Sequence, residues 1–180
     1  MEVYTIGHST RSQDELIGLL KESGIACLVD VRSYPRSRTN PQFNAEVLGP
    51  ALAGEGIGYR HMKALGGRRG AQDLGRPSPN GLWRQEAFRN YADYALTPAF
   101  GAGLGALRAL AGEARTAVMC AEALWWQCHR RIVTDCLLAA GDQVLHILGP
   151  GKIEPAALTP GAAPQADGTV HYPPEQGELF

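Results

Sequence analysis

Apolar residues fall along this chain in runs of two periods. Residues 3–6 and 25–31 are short, nearly continuous β-favouring stretches, the pattern of strands buried on both faces. Between them Leu16, Ile17, Leu19 and Leu20 recur at helical spacing. Ser12 or Thr10 can cap that helix, Asp14 and Glu15 fill its acidic first turn, and Ser23-Gly24 stops it. Strand, helix, strand is the repeating unit of parallel sheets.

The same alternation continues downstream. Residues 57–62, 116–120 and 143–148 read as three more strands. Helices are expected over residues 46–53, 83–96, 100–110 and 127–140, with Pro98 separating the middle two. The last carries one stripe of His129, Ile132, Val133, Cys136, Leu137 and Ala140. Residues 65–82 form a long irregular loop, a length that in compact domains points to function or disorder. The fold expected is α/β and three-layered: a mostly parallel sheet of about five strands flanked by helices, one domain over residues 1–148. Residues 149–180 hold six of the twelve prolines and little periodicity, so they read as a proline-rich C-terminal tail, extended over the body or mobile.

Composition adds limits. A chain of 180 residues can build one substantial core. No run reaches the roughly 18 apolar residues of a membrane helix, and Met1-Glu2-Val3-Tyr4 enters a strand without a basic leader or apolar signal core. The expectation is a cytoplasmic protein without membrane contact, with Cys27, Cys120, Cys128 and Cys136 as reduced thiols. The net charge of −1 conceals an asymmetry. Ten Lys or Arg face four acids between Arg32 and Arg89, whereas from Lys152 onward one base faces four acids. A basic middle suits an anionic partner, though scattered arginines also make an ordinary solvated surface.

In open parallel sheets, ligands bind beyond the carboxyl ends of the strands. His8-Ser9, Asp30 with Arg32, His61, and Cys120 with Glu122 all stand at predicted strand ends. If the strands are parallel, these residues share one edge. Residues 120–130 are the densest in reactive groups. Cys120 lies where a strand hands over to a helix, a position that favours thiolate; the alternative is a buried structural cysteine. Asp30 and Glu122 are candidate carboxylates for acid–base or nucleophilic work, with Asp30 equally suited to an ion pair with Arg32 or Arg130. His8 with Ser9 suits phosphate orientation or proton transfer, or merely a capping loop. The turn at Gly66, Gly67 and Arg68 offers backbone amides beside guanidiniums, which suits phosphate oxygens. Cys120, Cys128 and His129 are zinc-ligand types, which keeps zinc as an alternative, but the spacing lacks a second close pair, so the expectation is no metal and no cofactor. Cys136 and His146 read as core.

These stretches, in this order, resemble a known family. Residues 4–9, Asp30-Val31-Arg32 with Pro35 and Ser37, Phe43-Asn44, Leu65-Gly66-Gly67, Cys120-Ala121-Glu122, Cys128-His129-Arg130 and the strand at 144–147 are similar to the family of domain of unknown function 488. The resemblance spans roughly residues 3–148. It implies an α/β domain with these polar motifs, and no reaction. Separately, Gln176, Leu179 and Phe180 resemble the short Gln-x-x-Leu-Phe peptides that bacterial sliding clamps bind, which an unstructured tether would present well.

Three functions follow as expectations. The first is a hydrolase or transferase acting on a nucleotide or nucleic acid, with Cys120, Glu122, Asp30 and His8 supplying chemistry. In it Ser9, Arg32, Gly66, Gly67, Arg68, Cys128, His129 and Arg130 hold a phosphate-containing substrate. The second is thiol chemistry on a small molecule, with Cys120 as nucleophile and His129 or His8 as base. The third is a non-catalytic module that binds nucleic acid or a protein partner.

Overall fold

A computed structural model describes residues 1–175. Five strands run parallel: β1 (Glu2–Gly7), β2 (Cys27–Asp30), β3 (Gly58–His61), β4 (Thr116–Cys120) and β5 (Gln143–Gly149). A sixth, β6 (Lys152–Pro155), adds antiparallel to β5, and the sheet order is β3-β2-β4-β1-β5-β6. Five helices flank the sheet: α1 (Gln13–Glu22), α2 (Ala45–Gly54), α3 (Glu86–Tyr94), α4 (Pro98–Glu113) and α5 (Arg130–Ala139). The α/β architecture read from the sequence is the one observed.

Strand residues alternate between two cores. Tyr4, Ile6, Leu28, Ala117 and Met119 face the side covered by Leu16 and Leu20 of α1 and Leu48 and Leu52 of α2. Val3, Val29, Val118 and Cys120 face the other side with Tyr91, Phe100, Leu107, Ile132 and Leu137. Period-two alternation with both faces apolar is what a sheet covered by helices on both sides demands. Helix α1 starts with a complete capping box between Ser12 and Glu15.

The sheet order has one consequence for function. The chain leaves β1 by α1 toward β2 on one side, and leaves β4 by α5 toward β5 on the other, the two helices covering opposite faces. The carboxyl ends of neighbouring β1 and β4 therefore flank a topological switch point, where such sheets leave a crevice.

Two stretches differ from expectation. The helix expected from residue 83 begins at Glu86, because Trp83 is buried, stacks on Phe88 at 4.9 Å, and is held in a turn by its own amide donating to the Asn80 carbonyl. The segment from Gly149 does more than drape. Besides β6 it forms a small hairpin, β7 (Ala163–Pro164) with β8 (Val170–His171). Tyr172 is wholly buried, donates to Asp135 at 2.8 Å, and receives the Leu82 amide on its carbonyl. A segment poor in periodicity is thus anchored by a few buried side chains. No helix among the described residues is long and apolar enough to cross a membrane. Gln176, Leu179 and Phe180 of the clamp-like peptide lie outside the described residues.

Candidate active site

Beyond the strand ends the β1–β4 ladder continues for two residues: the His8 amide donates to the Cys120 carbonyl and the Ser9 amide to the Ala121 carbonyl, both at 2.9 Å. Gly7 is required here, because a Cβ would fall on the Glu122 carbonyl. Ser9 takes a left-handed conformation, φ 48°, a strained choice for a side-chain-bearing residue. It turns the Ser9 carbonyl back to accept from His8 Nδ1 at 2.9 Å.

A cavity of about 390 Å³ opens over this crevice. His8, Arg32, Arg68, Cys120, Cys128 and His129 are among its walls, as are Gly67 and Glu122. His8, Arg32, Cys120 and Glu122 from three strand ends therefore meet at one place, while Asp30 and His61 stand outside it.

The two sulfurs dominate the floor. Cys120 Sγ and Cys128 Sγ lie 3.1 Å apart, and Arg130 Nε donates to Cys128 Sγ at 3.3 Å. Arg130 is wholly buried; its remaining nitrogens donate to the Glu122 carbonyl and to Thr5 Oγ1. A buried guanidinium beside a thiol pair favours one negative charge there. Cys128 carries it: the hydrogen bond from Cys120 and the adjacent Arg130 charge draw its pKa down to about 6 against the opposing effect of burial. Burial, with the charge on its neighbour, pushes Cys120 well above the ordinary thiol value. The thiolate expected at Cys120 is thus favoured at Cys128, the sulfur that Arg130 touches. Cys120 ends a strand ten residues before α5 begins, so no helix terminus reaches it through the chain, whereas Cys128 directly precedes the N-cap residue His129.

Asp30 is committed elsewhere. Its carboxylate takes Arg32 Nη2 at 2.6 Å, Arg32 Nε at 2.9 Å and the Tyr59 hydroxyl at 2.6 Å, and it does not line the cavity. Its role is to hold Arg32, whose Nη2 also donates to the Phe43 carbonyl at 2.7 Å and whose Nη1 lies 3.4 Å from His8 Nε2. His8 stacks on Phe43 at 4.3 Å, and its burial lowers its pKa, keeping it neutral. Its Nε2 is thereby an acceptor facing Arg32. His129 is neutral too, drawn down to about 4 by burial, and its Nε2 donates to the Val31 carbonyl at 2.9 Å. That bond ties α5 to the end of β2, which makes His129 a brace and a poor general base. His61 likewise donates to the Arg32 carbonyl, 2.7 Å away, and stands outside the cavity.

The glycine turn also serves packing. A Cβ at Gly67 would lie 2.3 Å from His129 Nδ1, and one at Gly66 would meet Ser33. The Gly66 and Arg68 amides are engaged by the Lys63 carbonyl and Ser33 Oγ, so only part of the expected amide cradle faces out. Arg68 itself is exposed and lies over the Tyr34 ring at 5.6 Å. Glu122 enters through its main chain, its carbonyl accepting from Arg130 while its side chain stays exposed.

Several contributors carried no sequence signal. Ser33, Phe88 and Tyr91 are also among the walls. Behind Arg130, Thr5 Oγ1 contacts His146 Nδ1 at 2.7 Å, and His146 lies flat on Trp125 at 4.4 Å. The reading of Cys136 and His146 as core residues agrees with their burial. Among the described residues no three His, Cys, Asp or Glu side chains are placed to hold a metal ion; of the zinc-ligand types, the two sulfurs meet while His129 turns to Val31.

Fold and site together define an α/β domain with a buried thiol pair and its guanidinium at the switch point of the sheet. The profile of the family described as Domain of unknown function DUF488 matches residues 12–137, and the chain belongs to that family. No curated protein and no solved structure matches the sequence.

Proposed function

We propose that this protein is a cysteine-dependent hydrolase or transferase acting on a small anionic molecule, with Cys128 as the nucleophile. One observation carries the reading: Cys128 Sγ stands at the wall of an open cavity between a buried guanidinium nitrogen at 3.3 Å and a second thiol at 3.1 Å. Thiolates are the nucleophilic form of cysteine, and an adjacent cation is the standard means of maintaining one at neutral pH. In the first step Cys128 sulfur bonds to the electrophilic centre and the leaving group departs with its electron pair, taking the Cys120 proton. In the second, water or another acceptor loses a proton to the Cys120 thiolate and displaces Cys128, which restores the Cys120 thiol and the Cys128 thiolate.

The cavity falls in the size range of small-molecule sites. Arg68 at its wall, with the Ser33 and Ser37 hydroxyls and with Arg36, which also pairs with Glu46 at 3.0 Å, suits a phosphate group, so a nucleotide-sized phosphate compound is the class favoured. Arg32 contributes less charge than its type suggests, because Asp30 neutralises it. The test compares alkylation of Cys128 by anionic iodoacetate and neutral iodoacetamide. We expect iodoacetate to be favoured several-fold relative to free glutathione, and inorganic phosphate to protect. Equal preference without protection would remove the anionic substrate from the reading.

A nucleic-acid ligand is the second reading, favoured by the exposed Tyr34 ring with Arg68 against it at the same rim. Binding to a single-stranded oligonucleotide should then fall steeply with salt, and a flat response would count against it. The peptide at residues 176–180 stands as a separate proposed clamp contact: its removal should abolish clamp binding while leaving the melting temperature in place.

A further inference from the structure

The same two sulfurs support a second chemistry. We infer that Cys120 and Cys128 form a reversible dithiol–disulfide couple that exchanges with low-molecular-weight disulfides entering the cavity. The inference shares with the proposed function only the premise that Cys128 is a reachable thiolate. The two Sγ atoms are 3.1 Å apart within one short loop, and a disulfide bond needs about 2.05 Å. Closure therefore asks for about 1 Å of side-chain movement. The loop that carries it, residues 121–127, contains no strand or α-helix, only a single 3₁₀ turn at Trp125–Gln127. Cys27 and Cys136 are buried away from the cavity and have no such partner.

Access and polarity suit exchange. Cys128 is the more exposed of the pair, 8% against 2% for Cys120, and both line the cavity. Cys128 thus attacks first and Cys120 resolves. The Cys128 thiolate bonds to one sulfur of a small disulfide RSSR, and one RS⁻ leaves. Cys120 passes its proton to that thiolate and attacks Cys128 Sγ, expelling the second RS⁻. The protein loses two electrons and one proton; RSSR gains the electrons and departs as RSH and RS⁻. Two small thiols reverse both steps. Arg130, by stabilising Cys128 as a thiolate, favours the reduced form and makes Cys128 the better leaving group when the disulfide is attacked. Oxidation removes the nucleophile, so the disulfide form is inactive in the group transfer proposed above.

The test treats the reduced, folded full chain with excess bis(2-hydroxyethyl) disulfide at neutral pH, quenches with acid, and alkylates free thiols with N-ethylmaleimide under denaturing conditions. We expect the alkylated thiols to drop from four to two, with peptide mapping that joins Cys120 to Cys128, and full recovery with dithiothreitol. Cys120→Ser should instead stop at a mixed disulfide on Cys128. Retention of four thiols, a bridge between other cysteines, or a persistent mixed disulfide in the unsubstituted protein would overturn the inference. The wild-type measurement does not depend on any variant folding. Fast alkylation of Cys128 without a disulfide would sink the couple and leave the proposed nucleophile standing; a Cys120–Cys128 disulfide in a protein that turns over no phosphate compound would sink the group transfer and leave the couple.

Discussion

If Arg130 and Cys120 together hold Cys128 as a thiolate, its alkylation must titrate far below an ordinary cysteine. A thiol with the usual pKa of about 8.5 is roughly 0.3% thiolate at pH 6, whereas one at about 6 is half ionised, a gain of roughly 160-fold. Nucleophilicity falls with basicity at a Brønsted slope of about 0.45, which takes back a factor of roughly 13 over that interval. The net expectation at pH 6 is alkylation about tenfold faster than in the unfolded chain. The assay follows iodoacetamide modification of Cys128 by peptide mass spectrometry from pH 4.5 to 9.5. Arg130→Met removes the charge and should move the midpoint up toward the ordinary value. It also strips the Glu122 and Ala123 carbonyls of a donor, at a cost of about 1–3 kcal/mol for a buried group left unsatisfied. Arg130→Lys retains the charge and should shift the midpoint less. A wild-type midpoint near 8.5, preferential modification of Cys120, or a midpoint indifferent to Arg130→Met in a folded variant would refute the reasoning.

Three further outcomes test the frame around the sulfurs. His129 is held neutral in the fold, drawn down from 6.5 to about 4. Between those values the unfolded chain binds the extra proton, so stability is complete above pH 6.5 and is lost as pH falls toward 4. This one group accounts for up to about 3 kcal/mol at roughly 1.4 kcal/mol per pH unit; His146, drawn down to about 4 by its own burial, adds to the slope, so urea melts across that range should show it and His129→Gln should make it shallower. Gly67→Ala drives a Cβ into the His129 ring and should cost about 1–3 kcal/mol. Gly70→Ala, which meets nothing within 4 Å, should leave the thermal midpoint in place, and equal midpoints for the two would contradict the packing argument. Asp30→Asn leaves Arg32 buried without its counter-charge, for which about 3–5 kcal/mol is expected. Tyr59→Phe removes one hydrogen bond to the same carboxylate and should cost about 1 kcal/mol. Denaturant midpoints that rank the two variants the other way would show that the ion pair is not what anchors Arg32.

Much of this molecule was legible in the order of its residues. Runs such as residues 25–31 and the Leu16, Ile17, Leu19 and Leu20 stripe are statements about which faces will be buried, and burial dominates folding energetics. The parallel α/β sheet, its five central strands and the meeting of His8, Arg32 and Cys120 at one edge follow from that pattern. Strand β6 did not announce itself, since Lys152–Pro155 is exposed throughout and joins the sheet by main-chain bonds alone. The tail was equally silent, because Tyr172 and Val170 anchor it singly, without a period to detect.

Duties within the site depended on distance. Sequence order makes Cys120 a strand-end thiol and Cys128 a helix-adjacent one, and nothing in it says that Arg130 will lie against the second sulfur. The ion pair of Asp30 with Arg32, two residues apart, was one of the two readings open from the sequence, whereas the brace from His129 to Val31 and the use of Gly67 to admit the His129 ring arise between segments far apart in the chain. Periodicity reports the averaged environment of a segment. The charge on a sulfur or a carboxylate is set by the few atoms within about 4 Å of it, and only the folded chain brings those atoms together.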